Sequence, residues 1–329
     1  MSIFSYFGLL VGGFVILSKS ADVFVESSVA IAEILRVPKM IIGILLVGFA
    51  TTAPEFAVSV QSAYIGHPEI ALGNAVGSVI CDDGLAMGLA AVIAPLPILI
   101  DKRILKIAGG FLISIYVVTY VMASDGTFAR SEGMILVLIL AGYIYFVFRT
   151  EKGRRRKESP MELPRAENEL AATPVNPSRT LRRQFTYFAL GLAGVILSSR
   201  LILWSCISIG EYFDIPEVII GLTVIAIGTS LPEIGTCIAA VRKGEGEIAA
   251  GDIIGADILN VLWIIGVSSM VNPIHVSKKI INFMFPWMFA IVGAMLLFMR
   301  LKYKMGKPKG LILLSLYAIY LVMTIKVFY

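Results

Sequence analysis

Two short polar segments, each inside a long apolar run, contain residue types that could bind cations. They are GFATTAPE at 48–55 and AIGTSLPE at 226–233, and each has two adjacent hydroxyl residues, a proline and a glutamate. Proline interrupts an α-helix because it lacks a backbone N–H group and clashes with the preceding turn. The carbonyl groups freed by such a break cannot stay unpaired in hydrocarbon, so we expect them to line a polar cavity.

The oxygen atoms at these two breaks are predicted to form a cation site. A carboxylate in the middle of a membrane costs at least about 2.5–3.5 kcal/mol on insertion scales, so it requires a partner or a function. Two glutamates at matching positions of two breaks are therefore interpreted as ligands rather than as packing residues. The ligands predicted at the breaks are Glu55, Glu233, Thr51, Thr52, Thr229 and Ser230.

The apolar segment after each break carries a second set of polar residues, in GNAVGSVICDD at 73–83 and GDIIGADILN at 251–260. Residues spaced by four lie on one face of a helix, so the polar residues of each segment should point the same way. From this set the predicted ligands are Ser78, Asp82 and Asn260, with Asn74, Asp252 and Asp257 as further candidates. Asp83 is rotated by about 100° from its neighbour. It is predicted to lie behind the ligands or on the side of the lipid headgroups.

Hydroxyl, carbonyl, amide and carboxylate groups together make a site in which every ligand is oxygen. No histidine or cysteine cluster accompanies them, and the three cysteines have no metal-binding spacing. Such a site favours hard cations such as Ca²⁺, Mg²⁺, Mn²⁺ or Na⁺ over Zn²⁺ or copper.

The two polar regions belong to an internal repeat. Residues 41–93 align with residues 219–271 without gaps, and the alignment pairs glycines, a proline and a glutamate. Shared apolar composition would explain identical Ile or Ala pairs but not these matches. Helix-breaking motifs at matching positions of inverted repeats are typical of the binding site of a secondary transporter.

The composition and the apolar runs predict an all-α polytopic membrane protein. The 329 residues are 57% hydrophobic and 16% charged, whereas soluble domains are about 45–50% apolar and about 25% charged. Ten transmembrane helices are predicted, at 3–35, 39–64, 68–93, 104–122, 131–149, 184–213, 217–243, 246–271, 280–300 and 308–328. They form two inverted five-helix repeats, 1–149 and 184–329, joined by a polar linker at 150–183.

The positions of Lys and Arg predict the orientation in the membrane. With the 150–183 linker in the cytoplasm, the great majority of the 28 Lys and Arg residues lie on the cytoplasmic side, as the positive-inside rule requires. Both termini are then outside the cytoplasm, in a cell (inner) membrane. The net charge of +5 is interpreted as this topology signal and as attraction to anionic lipids, not as nucleic-acid binding. The oligomeric state is left open.

The sequence resembles the sodium/calcium exchangers of the cation/calcium exchanger superfamily, prokaryotic type. AIGTSLPE is similar to their G-T-S-x-P-E signature, GFATTAPE is similar to it more loosely, and a glycine-rich segment follows in both halves. The resemblance implies an antiporter that exchanges Ca²⁺ for Na⁺ by alternating access, with no enzymatic activity and no cofactor. It also implies that Glu55 and Glu233 are shared by both ions, that Thr51 and Thr229 bind Ca²⁺, and that spans 1 and 6 slide across the core.

Some positions depart from the family pattern and leave alternatives open. The usual G-S-N triplets are replaced by Gly77-Ser78-Val79 and Gly255-Ala256-Asp257, so H⁺ coupling or transport of another divalent ion such as Mg²⁺ remains an alternative. Asp257 is interpreted either as an extra ligand or as a gating or packing residue. A membrane-embedded metal-dependent lipid-phosphate hydrolase is less favoured, because the 41–60 and 219–240 stretches contain no basic residue to bind phosphate.

Overall fold

The computed structural model describes residues 3–34, 48–102, 105–155, 181–244 and 246–328, and these residues are predominantly helical. Two-residue strands occur only in loops within this part of the chain. The helices are α1 Ile3–Ile34, α2 Gly48–Thr51, α3 Ala53–Tyr64, α4 Pro68–Ile93, α5 Leu105–Ala123, α6 Arg130–Arg155, α7 Leu181–Phe213, α8 Glu217–Thr229, α9 Leu231–Arg242, α10 Gly246–Val271, α11 Lys278–Arg300 and α12 Lys307–Phe328. The strands are β1 Ile98–Leu99, β2 Thr127–Phe128, β3 Ile274–His275 and β4 Lys304–Met305.

The described helices confirm a membrane protein with many spans. Eight of them are long and apolar enough to cross a bilayer, and the bent pair α8–α9 raises the number to nine. The span predicted at 39–64 is described only from residue 48 onward, as α2 and α3, and its first part lies outside the described residues. Helix α6 continues to Arg155 and α7 begins at Leu181, so both extend into the range predicted as a linker. Residues 156–180 of that range lie outside the description.

The two helix breaks occur at the sequence positions that predicted them. Thr52 separates α2 from α3 with φ −84° and ψ 6°, and Ser230 separates α8 from α9 with φ −79° and ψ 4°. Pro54 and Pro232 follow in the first turn of the next helix, where a missing N–H group is tolerated. The helix axis bends by 42° between α8 and α9. The two breaks therefore have nearly the same local backbone geometry.

Helices α4 and α10 form the centre of the protein. In the most apolar membrane-length stretch of each helix, 78% of the residues are buried in α4 and 72% in α10. The share is 50% or less in the other candidate spans. Close contact with α8 is possible because α4 carries glycines at the interface. A Cβ atom on Gly77 would lie 2.6 Å from the carbonyl oxygen of Leu222 and 2.7 Å from Cβ of Ala226. The backbones of α4 and α8 thus contact each other directly.

This contact predicts that Gly77→Ala destabilises the protein. The added methyl group has to push the backbone of α8 away, and overpacking of this kind costs typically about 1–3 kcal/mol. We expect a lower midpoint of thermal unfolding for the variant purified in detergent. The control is Gly142→Ala in α6, where an added Cβ has no neighbour within 4 Å. Equal midpoints for the two variants would contradict the proposed tight α4–α8 contact.

Helices α1 and α7 pack against each other along their length, outside this centre. Glycines again permit the contact: a Cβ on Gly191 would lie 2.6 Å from the backbone nitrogen of Phe24, and one on Gly13 would lie 2.8 Å from Cγ1 of Ile202. Two antiparallel strand pairs, β1 with β4 and β2 with β3, connect loops that are distant in sequence. The long α1–α7 pair lies beside the core and shares a hydrophobic cluster with Val58 of α3 and Ile70 of α4.

Candidate functional site

Glu55 and Glu233 lie at the start of α3 and α9, directly after the two breaks. Each is about 1% exposed, and in the described part of the chain none of their four carboxylate oxygens has a hydrogen-bond partner. The N-terminal turn of a helix favours a negative charge because its backbone N–H groups are unpaired. The breaks therefore place both carboxylates where the backbone partly offsets their burial.

Side chains from both breaks and from α4 approach one another in the protein centre. The Glu55 carboxylate lies beside the hydroxyl groups of Thr229 and Ser230, which belong to the opposite break. Asp82 of α4 lies beside Ser230 and close to Glu55. Glu233 is within electrostatic range of both Glu55 and Asp82. The structure therefore brings the glutamates of the two breaks within electrostatic range of each other and of Asp82.

Asn74 connects the two breaks. Its amide nitrogen donates hydrogen bonds to the backbone oxygen of Glu55 at 3.3 Å and to Oγ of Ser59 at 2.9 Å. Its amide oxygen accepts a hydrogen bond from the Thr229 hydroxyl at 3.2 Å. Asn74 is fully buried, so its amide group is already engaged in holding the two breaks together.

Asp252 occupies the position of α10 that aligns with Asn74, but it makes a different contact. Its carboxylate accepts a hydrogen bond of 3.3 Å from the Thr236 hydroxyl. That hydroxyl also lies 3.0 Å from the backbone oxygen of Glu233. Asp252 is only half-buried. It therefore lies at the edge of the site, within electrostatic range of Glu233 and Asp82.

Asp82 and Asn260, which align in the two halves, each begin a π-helical turn. These turns span Asp82–Ala86 in α4 and Asn260–Ile265 in α10. Wider turns of this kind occur frequently at functional sites. Oγ of Ser78 and both amide atoms of Asn260 are buried without a hydrogen-bond partner among the described residues. Thr52 at the first break is also fully buried, whereas Thr51 is half-buried.

Asp83 corrects one expectation from the sequence. It was predicted to lie behind the ligands or near the lipid headgroups, but it is fully buried, so the headgroup position is wrong. The reason is that α4 is surrounded by other helices and has no lipid-facing side at this level. The Asp83 carboxylate lies next to that of Asp257, which is also fully buried.

Tyr116 of α5 is a polar residue of this region that the sequence did not reveal. It is fully buried, and its hydroxyl lies close to the Asp257 carboxylate. A tyrosine in a predicted apolar span gives no sequence signal that distinguishes it from a packing residue. Within the described residues, no group of three or more His, Cys, Asp or Glu side chains is arranged to hold a metal ion in this conformation, so Glu55, Glu233 and Asp82 lie within electrostatic range without forming a closed set of ligands.

Comparison with known proteins identifies the family. The family model for the sodium/calcium exchanger protein matches residues 5–149 and 183–326. This chain belongs to the sodium/calcium exchanger family. It is therefore a multi-pass membrane antiporter of cations, not an enzyme, and the lipid-phosphate hydrolase alternative is wrong. Exchangers of this family work without a cofactor, and the transported Ca²⁺ and Na⁺ ions are their substrates.

Several relatives resemble the chain over most of its length. The inner membrane protein YrbG of Escherichia coli K12 is 32% identical over 80% of this chain and 79% of its own. The sodium/calcium exchanger MaX1 of Methanosarcina acetivorans is 29% identical over 96% of this chain and 97% of its own. The structure of the sodium–calcium exchanger NCX_Mj soaked with Na⁺ and Sr²⁺ superimposes with a TM-score of 0.64 at 26% identity. That match covers 98% of this chain and 99% of NCX_Mj.

Proposed function

We propose that this exchanger moves Ca²⁺ against Na⁺ by alternating access, with a single transport site at the two helix breaks. The proposal rests on the proximity of the carboxylates of Glu55, Glu233 and Asp82. These carboxylates are buried together, and all four glutamate oxygens and one Asp82 oxygen have no hydrogen-bond partner among the described residues. A buried charge requires a compensating charge. A bound cation supplies it, and oxygen is the ligand that Ca²⁺ and Na⁺ prefer.

The ligands of the proposed site come from the two helix breaks, from α4 and from α10. Thr51, Thr52 and Glu55 come from the first break, and Thr229, Ser230 and Glu233 come from the second. Ser78 and Asp82 of α4 and Asn260 of α10 complete the proposed ligand set. Asn74 and Asp252 are proposed to position these groups, because their side chains bond to protein atoms instead.

We further propose ten transmembrane helices in two inverted repeats, 1–149 and 184–329, with a cytoplasmic linker at 150–183 and both termini outside. The nearly equal backbone angles at Thr52 and Ser230 support a common origin of the two halves. The aligned π-helical turns at Asp82 and Asn260 give independent support. An odd number of spans in each half places the two copies in opposite orientations.

Alternating access is proposed to arise from movement of the α1–α7 pair across the core. This pair contacts the segment of the second break, and the Phe14 ring makes one of these contacts. The Phe14 ring of α1 lies directly against Gly228, and no space for a side chain remains at that glycine. A rigid helix pair that touches the binding-site segment in this way can expose it to either side of the membrane in turn.

Gly228→Ala is therefore expected to impair transport. The added methyl group collides with the Phe14 ring, and overpacking of this kind costs about 1–3 kcal/mol. If this cost destabilises only one of the two access states, Ca²⁺ uptake should be roughly five- to 150-fold slower. Phe14→Ala in the same chain removes the ring and should restore much of the rate. Gly235→Ala in α9 is the control, because an added Cβ there has no neighbour within 4 Å. No rescue by Phe14→Ala would contradict the proposed contact.

The second candidate is the same transport fold coupled to H⁺ or carrying Mg²⁺. It is favoured by Ala256, which stands where the first half has the hydroxyl of Ser78. An alanine at this position supplies no oxygen atom for Na⁺. This candidate keeps the site at the breaks and changes only the ion that drives the exchange or the divalent ion that is moved.

Uptake of ⁴⁵Ca²⁺ into proteoliposomes tests both candidates. Vesicles loaded with Na⁺ are compared with K⁺-loaded vesicles and with vesicles that carry only a pH gradient. The proposal expects uptake with Na⁺ inside and background uptake in the other two. Uptake driven by the pH gradient alone would transfer the coupling to H⁺. No Ca²⁺ flux under any condition would exclude Ca²⁺ as the substrate, and Mg²⁺ flux would then be measured in the same vesicles.

A further inference from the structure

Asp83 and Asp257 form a pair of buried carboxylates outside the proposed transport ligands. Both are fully buried, and none of their four carboxylate oxygens has a hydrogen-bond partner in the described part of the chain. The two carboxylates are close enough to interact with each other, although they do not form a hydrogen bond of normal geometry. Two uncompensated like charges in this arrangement would repel each other strongly.

The fold does not require this acid pair for packing. In the alignment of the two halves, Asp83 corresponds to Val261 and Asp257 corresponds to Val79. Both valines are fully buried. The equivalent positions of the other half are thus occupied by two apolar side chains of similar size. The two aspartates belong to different helices and approach each other, so the feature that distinguishes this pair from the two valines is the local negative charge.

The helices that carry the two aspartates supply no basic side chain to compensate the negative charge of the pair. Helices α4 and α10, which carry the two aspartates, contain no Lys, Arg or His. Helix α5, which supplies Tyr116, has Lys106 only, at its first turn. The ion pair between His67 and Glu217, at 2.7 Å, does not involve either aspartate. A buried acid pair without a basic partner is compensated when a cation binds between the two groups.

The Tyr116 hydroxyl is a second, independent indication of a ligand. It is fully buried and lies close to the Asp257 carboxylate, but within the described residues it forms no hydrogen bond of normal geometry. Burial of a hydroxyl without a partner is unfavourable because the group gives up its hydrogen bonds to water. Three oxygen-bearing side chains from α4, α5 and α10 therefore approach one region while most of their hydrogen-bonding capacity is unused.

We propose that Asp83, Asp257 and the Tyr116 hydroxyl form a second binding position for a hard divalent cation, beside the transport site. Two carboxylates carry the charge that one divalent ion neutralises, and the phenol adds a neutral oxygen. Ca²⁺ accepts six to eight oxygen ligands in flexible geometry, so water completes the set. The proposal depends on the proposed function only for the choice of Ca²⁺ as the probe.

Equilibrium binding of ⁴⁵Ca²⁺ to the purified full chain, in detergent without Na⁺, counts the sites. The wild-type protein is expected to bind two ions per chain. Glu55→Gln with Glu233→Gln should leave one ion, held by the acid pair. Asp83→Val with Asp257→Val should also leave one, held at the breaks, and this variant installs the valine pair that the other half already contains. The combination of all four changes should bind none.

Luminescence of bound Tb³⁺ gives a readout that stability alone does not change. Tyrosine within a few ångströms of Tb³⁺ sensitises its emission, so Tyr116→Phe in the Glu55→Gln/Glu233→Gln background should reduce the emission and weaken binding. If the valine variant does not fold, Asp83→Asn with Asp257→Asn replaces it. The proposal is overturned if wild-type protein binds one Ca²⁺ that the Asp variants keep. One ion lost only in the Asp variants would instead support the acid pair and overturn the proposed transport site.

Discussion

Replacing Glu55 or Glu233 by glutamine should abolish Ca²⁺ uptake while leaving the ion-free protein at least as stable as the wild type. Glutamine has nearly the same size as glutamate but carries no charge, so it cannot replace a charged ligand of a cation. Loss of one partner of a buried charge pair costs about 2–5 kcal/mol, which corresponds to a reduction in Ca²⁺ affinity of roughly 30- to 5,000-fold.

The gain in stability has a separate cause. Without an ion, both glutamates are buried beside other carboxylates and their oxygens have no hydrogen-bond partner in the described part of the chain. Removing one such charge removes a repulsive and desolvation cost. We therefore expect the midpoint of thermal unfolding to stay equal or rise without Ca²⁺, and the rise of the midpoint on adding Ca²⁺ to become smaller.

Uptake and thermal unfolding should be measured on the same preparations. Glu69→Gln is a matched control, because Glu69 is also a first-turn glutamate but begins α4 away from the breaks. It should behave as the wild type in both measurements. A lower midpoint for Glu55→Gln in ion-free buffer would show that this glutamate stabilises the fold, and it would contradict the assignment as a ligand.

The helices and their breaks could be predicted from the sequence because their causes are local. Apolar runs of membrane length predict spans, and proline after two hydroxyl residues predicts a break. The predicted span at 246–271 coincides with α10, and the breaks occur at Thr52 and Ser230. Since Pro54 and Pro232 act on the turn that contains them, the signal does not depend on what packs around it.

The contacts between helices could not be predicted in the same way. A helical projection correctly separates Asp83 from Asp82, but it cannot show that both directions are buried. The π-helical turn that starts at Asp82 adds a further rotation to the residues after it. The approach of Asp83, Asp257 and Tyr116 depends on how three helices are rotated about their axes, and no local pattern in the sequence specifies those angles.

Asn74 illustrates why residue type alone does not assign a role. The sequence placed it on the ligand face with Ser78 and Asp82, and that placement agrees with the structure. Its amide group, however, is bonded to Glu55, Ser59 and Thr229. The difference between a ligand and a residue that holds ligands lies in partners from two other segments, which only the folded chain reveals.

Exchanging the residues of the aligned pair Asn74 and Asp252 should have very unequal effects. Asn74→Asp loses both donated hydrogen bonds, to the backbone of Glu55 and to Ser59, and it places a negative charge beside the carbonyl oxygen it formerly bonded. Unsatisfied buried groups cost about 1–3 kcal/mol each. The two breaks would separate, so we expect Ca²⁺ uptake to fall by at least about tenfold and the midpoint of unfolding to decrease.

Asp252→Asn is the matched reverse change and should have little effect. The new amide oxygen can still accept the hydrogen bond from the Thr236 hydroxyl, and the side chain is only half-buried. Uptake and unfolding of the two variants should be compared with those of the double exchange. If Asn74 merely fills space, the two single variants would behave alike. If Asn74 holds the breaks together, the defect of Asn74→Asp persists in the double variant, because an asparagine in α10 cannot reach the carbonyl group of Glu55.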